Sequence, residues 1–90
     1  MALIDTVKAA LRISHDKLDD EISRLITTAK EDLIRVGVPS GIAADEGDSL
    51  VTQAVVTFVL MTMTEDATLM DKYQRAYEIQ ADGLRRRSDV

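Results

Sequence analysis

Residues 49–64, "SLVTQAVVTFVLMTMT", run for sixteen positions without a charge, and their reading decides the fold. Leu50, Val51, Ala54, Val55, Val56, Phe58, Val59, Leu60, Met61 and Met63 point in every direction on a helical wheel. A helix apolar all round is one buried on all sides. The β-branched content would suit a strand, but about fifteen residues without a turn signal exceed a normal strand. Five Ser or Thr residues make the run too polar, as well as too short, to span a bilayer. The expectation is a buried helix starting at Asp48 or Ser49, around which the other elements pack.

Working toward the N-terminus, residues 37–47, "GVPSGIAADEG", hold three of the four glycines and the only proline and read as a loop. Before them, Leu18, Ile22, Leu25, Ile26, Ala29 and Leu33 recur at helical spacing and form one apolar stripe. Lys17, Arg24, Lys30, Glu31 and Arg35 occupy the other face. This helix is expected to start from a cap at Ser14 or Asp16, to place Asp19, Asp20 and Glu21 against its dipole, and to end near Val36. Gly37 stands where a left-handed C-cap glycine belongs, and Pro39 prevents continuation. A short first helix is expected over Asp5–Leu11, capped by Asp5, with Leu3, Val7, Ala10 and Leu11 on one side. Toward the C-terminus, Thr64-Glu65-Asp66 has the character of a cap. A long last helix then runs from about Ala67 to Arg86, with Leu69, Tyr73, Ala76, Tyr77, Gln80 and Leu84 along one side. The fold class is all-α: one four-helix domain over residues 1–90, with a short first helix, a buried third and a long fourth.

Ninety residues with three aromatics give a thin aliphatic core, and oligomerisation is a common way to support one. The absence of cysteine excludes disulfides and thiolate metal sites, and a single histidine leaves little for zinc. No metal site and no cofactor are expected. The net charge of −5 argues against a general nucleic-acid binder. Its distribution is uneven. Residues 1–35 are near balance, residues 36–71 carry six acids and no Lys or Arg, and residues 72–90 are net basic, with Arg85-Arg86-Arg87 in the last helical turn. Such segregation marks either a solvated surface or a face used against a partner. The first residues lack a basic stretch followed by an apolar one, so a soluble intracellular protein is expected.

Gly47-Asp48-Ser49-Leu50 has the letters of a serine-esterase motif. An esterase serine needs a base held by a third group, His15 is the only histidine, and those enzymes have much longer α/β chains. His15 beside Asp16 reads as a surface residue where the second helix starts, and no catalytic residue is assigned. Asp48-Ser49-Leu50 is also similar to the modification site of acyl carrier proteins. Size, acidity and helix count agree, but carrier proteins expose the helix that follows, and here it is uncharged. Asp48-Ser49 is therefore read as an N-cap pair. A carrier modified at Ser49 stays as an alternative, as does a small helical regulatory module. Tyr73 and Tyr77, one turn apart, suit the core or a subunit interface, the core being favoured.

The stretch "TVKAALRISHDKLDDEISRLITTAKEDLI", residues 6–34, resembles the opening of the small head–tail connector, or adaptor, proteins of tailed bacteriophages and prophages, often grouped as DNA-packaging proteins. Lys8, Leu11-Arg12-Ile13, the Asp-rich turn ending at Asp20-Glu21-Ile22, Leu25-Ile26 and Ala29 carry the resemblance. The loop, apolar helix and long last helix suit the same family. Many relatives have an aromatic residue and an arginine near the end of the third helix, where this chain has "FVLMTMTEDATLM". The resemblance implies a non-enzymatic virion protein at the head–tail junction, found in host cytoplasm during assembly. It implies a homo-oligomeric ring of about twelve copies under the portal protein, formed either in isolation or only on the portal, extending the DNA channel and receiving a tail or stopper protein. DNA would pass without sequence-specific binding, and no membrane is involved. On this reading Asp45, Glu46 and Asp48 form an acidic channel-facing loop that repels phosphates. Tyr73, Tyr77, Leu84, Arg85, Arg86 and Arg87 would meet the portal or a neighbouring subunit.

Overall fold

The computed structural model describes residues 3–14, 16–45 and 48–87. Among them the chain forms five α-helices: α1 Leu3–Leu11, α2 Asp19–Arg35, α3 Ser40–Ala43, α4 Ser49–Met63 and α5 Ala67–Arg87. The all-α expectation holds, and the four expected helices correspond to α1, α2, α4 and α5. The fifth, α3, is a single turn inside the stretch read as loop. It contributes buried Ala43 beside buried Val38.

Capping sets most of the boundaries. At the end of α2, Gly37 adopts φ 112°, Val38 N–H donates to Leu33 O at 2.9 Å, and Gly37 N–H donates to Ile34 O at 3.1 Å. These are the two bonds of a Schellman motif around a left-handed glycine, as expected. The end of α1 repeats the motif with Arg12 in the left-handed position at φ 59°, where Ile13 N–H reaches Lys8 O at 2.9 Å. A side chain with a Cβ rarely adopts that conformation, so the periodic pattern did not mark it. Asp48 caps α4, accepting from the Leu50 and Val51 amides at 2.9 and 3.3 Å. Asp66 does the same for α5 through Thr68 and Leu69, at 2.9 and 3.2 Å.

Two expected caps are corrected. Asp5 lies inside the first turn of α1, which starts at Leu3. The N-cap position of α2 falls on Leu18, without a side-chain cap, rather than on Ser14 or Asp16. The first-turn acids Asp19, Asp20 and Glu21 there favour the helix electrostatically instead. Lys8 Nζ lies 2.7 Å from Asp19 Oδ1, tying α1 to that turn by an ion pair that lacks hydrogen-bond alignment.

The core is aliphatic: Val7 from α1, Ile22, Ala29 and Leu33 from α2, Val51, Ala54, Val55 and Val59 from α4, and Leu84 from α5. Helix α4 touches α1, α2 and α5, and its pairing with α5 is the most extensive in the molecule. It is not buried all round, however. Leu50 is 48% exposed, and Val56, Leu60, Met61 and Met63 are half-buried. The molecule measures 40 × 30 × 18 Å. Enclosing one helix on every side takes three helix layers, and the thin dimension of 18 Å accommodates about two. The hydroxyls in this apolar helix are satisfied locally: buried Thr57 donates to Gln53 O at 2.9 Å.

Candidate functional site

The sequence singles out two regions, the acidic loop before α4 and the C-terminal helix. In the first, Asp45 is exposed and Glu46 lies outside the described residues. Asp48 is half-buried, with its carboxylate committed to the α4 amides. Ser49 is the exposed first residue of α4.

In the second, α5 divides its expected interface residues by depth. Leu84 is buried under α4, Tyr77 is buried, and Tyr73 is half-buried. Tyr77 stacks at a tilt on Phe58 of α4, with ring centroids 5.4 Å apart. Its hydroxyl donates to Asp32 Oδ2 at 2.7 Å, joining α5 to α2. Asp32 Oδ1 accepts from Arg35 Nε and Nη2 at 3.0 and 2.7 Å. Burial first, and then the hydrogen bond and charge of Asp32, push the Tyr77 phenol far above its ordinary value. It therefore stays a protonated donor and is no candidate base. A buried tyrosine hydroxyl needs a partner, but neither the charge pattern nor helical spacing pointed to Asp32.

Arg85 and Arg86 of the arginine run are engaged within the chain. Arg85 lays its aliphatic stem across Gly37, where a Cβ would come within 2.8 Å of its Cδ, and its guanidinium pairs with Asp82. Arg86 Nε lies 3.0 Å from Asp82 Oδ2. These i,i+3 and i,i+4 pairs are exposed and add little stability. Arg87 ends α5, and its side chain lies outside what the structure describes. Between α2 and α5, whose direct contact is slight, runs a cleft of about 450 Å³ floored by Phe58, Met61 and Tyr77 and edged by Asp32, Arg35 and Glu78. Among the described residues no group of three His, Asp or Glu side chains is placed to hold a metal. No described helix is long and apolar enough to cross a membrane.

This is a small helical bundle whose helices are joined by the aliphatic core, with Tyr77–Asp32 and Lys8–Asp19 as the polar ties between helices. The sequence pattern of the phage connector proteins matches residues 3–81, nearly the whole described chain. The protein belongs to the phage connector protein family, a family of structural proteins. Neither curated proteins nor solved structures give a match.

Proposed function

We propose that this protein is a head–tail connector subunit, copies of which form a ring under the phage portal, extend the DNA channel and offer a platform for the tail or stopper. The observation that carries the reading is the family match over residues 3–81. A thin bundle with exposed apolar side chains at Leu50, Leu69, Met70 and Ile79 supports it, because assembly buries such surface. The channel-facing role falls to Asp45 and Glu46, the acids beside α4 whose neighbour Asp48 serves as the cap. The portal-facing role falls to the C-terminal end of α5. The test is to mix the purified chain with its portal and examine the particles by negative-stain microscopy. Stacked rings of the two proteins are the expected outcome, and absence of any joint particle would sink the proposal. Replacing Asp45 and Glu46 with Lys should slow DNA ejection. Replacing Arg86 and Arg87 with Ala should weaken portal binding without disturbing the Arg85–Gly37 contact.

A further inference from the structure

Helix α1 is nine residues long, and a helix shorter than about 12–15 residues does not persist alone in water. It therefore exists only while it is docked. It packs on α2 and α4, and its contact with α4 is smaller than that made by α2 or α5. To the buried core it supplies Leu3 and Val7, whereas every other member comes from residues 22–84. Ile4 and Leu11 are half-buried, and Asp5, Ala9 and Ala10 face solvent. The rest of the core, with the α2–α4 and α4–α5 packing, does not pass through α1.

The polar ties of α1 converge on one residue. Lys8 O accepts from Ile13 N–H at 2.9 Å, closing the end of the helix. Lys8 Nζ lies 2.7 Å from Asp19 Oδ1, at the start of α2. That oxygen is buried and has no hydrogen bond, so the ammonium is what compensates its charge. Next to this joint stands Arg12 at φ 59°, a backbone conformation unfavourable for a residue with a Cβ. When α1 leaves, the Asp19 oxygen regains water and Arg12 is released from the left-handed region. Loss of the ion pair and unwinding of the helix end are thereby coupled through Lys8.

We infer that α1 is a strap that opens as a unit while α2, α4 and α5 stay folded, with Lys8–Asp19 as the pin that sets how often it opens. Closed, the strap covers apolar surface of α2 and α4. Open, it leaves that surface bare. The device belongs to the free chain and does not depend on the connector reading.

Hydrogen–deuterium exchange of the full chain tests it. Amides of residues 7–13 should exchange roughly 100-fold or more faster than those of residues 54–59 in α4, with a weaker dependence on urea, because opening α1 exposes little surface. Lys8→Met should speed exchange at 7–13 about tenfold, since the closed state then holds a buried carboxylate oxygen without its cation. Arg75→Met, which removes an exposed pair within α5, should leave it unchanged. Val7→Asp should abolish protection at 7–13 while α2, α4 and α5 keep theirs. Equal rates and equal urea dependence for 7–13 and 54–59, no response to Lys8→Met, or loss of protection throughout the chain in Val7→Asp would each overturn the inference.

Discussion

Helices α4 and α5 lie side by side as an antiparallel pair and have opposite compositions. Helix α4 has no charged residue in fifteen, whereas α5 carries Asp, Glu, Lys or Arg at eight of its twenty-one positions. Yet Ile79, the most exposed of the large apolar side chains noted, belongs to the charged helix, and Leu50, the next, to the uncharged one. Composition therefore orders the helices by depth but does not say which side of each is covered. That depends on how many neighbours the chain supplies, and a slab 18 Å thick cannot supply a full ring of them to α4.

The largest effect should come from testing depth on α4. Val55 is fully buried at the centre of the bundle, and Val55→Asp places an unpaired carboxylate there. The expected outcome is a chain without cooperative thermal unfolding at neutral pH, a loss on the order of 4 kcal/mol or more. Retained cooperative unfolding would mean that α4 can turn its open side inward. On α5, Leu84→Ala should cost about 2–5 kcal/mol because Leu84 is buried, whereas Ile79→Ala should stay within about 0.5 kcal/mol under conditions where the chain is monomeric. Urea denaturation of the pair checks whether the two sides of α5 differ as their exposures indicate.

Much of this contrast is legible from residue order. The uncharged run from Ser49 announces α4, Gly37 followed by Pro39 ends α2, and Asp66 opens α5, each through chemistry local to a few positions. Elements that depend on distant partners are not legible in that way. Helix α3 contains Ser40 and Gly41, poor helix formers, and forms where Val38 and Ala43 are buried against the rest of the chain. The Tyr77–Asp32 bond joins residues 45 apart, and no periodicity encodes it. Of the candidate site residues, the spacing of Asp82, Arg85 and Arg86 did carry the information that they pair, since they fall one helical turn apart. Their segregated charge alone could be read equally as a docking patch.

A middle-sized effect tests the one strong polar tie between α5 and α2. Tyr77→Phe removes the hydroxyl, keeps the ring against Phe58 and leaves Asp32 paired with Arg35. The expected loss is about 1.5–2 kcal/mol, the lower part of the range for a bond to a charged acceptor, since Asp32 is partly exposed. The dependence on pH has a definite sign. The folded phenol ionises well above its value in the unfolded chain, so its contribution is intact below about pH 10 and is lost as pH rises beyond it. The wild-type chain should therefore lose stability at alkaline pH more steeply than Tyr77→Phe. Equal slopes would mean that the phenol is not held protonated by the fold.

The smallest effect concerns the junction between the acidic loop and α4, where Asp48 and Ser49 compete for the same role in the sequence. Only Asp48 has its side chain on the free amides of the first turn, at 2.9 and 3.3 Å. Asp48→Ala should therefore cost about 1 kcal/mol, as loss of an N-cap does. Ser49→Ala, at an exposed first helical position, should stay within about 0.5 kcal/mol. Asp48→Asn keeps the capping oxygen while removing the charge, and should recover most of the loss. If Asn fails to recover it, the carboxylate acts through its charge on the helix dipole rather than as a cap. Asp48 would then belong with Asp45 and Glu46 as part of the electrostatic surface, instead of with α4 as part of its fold.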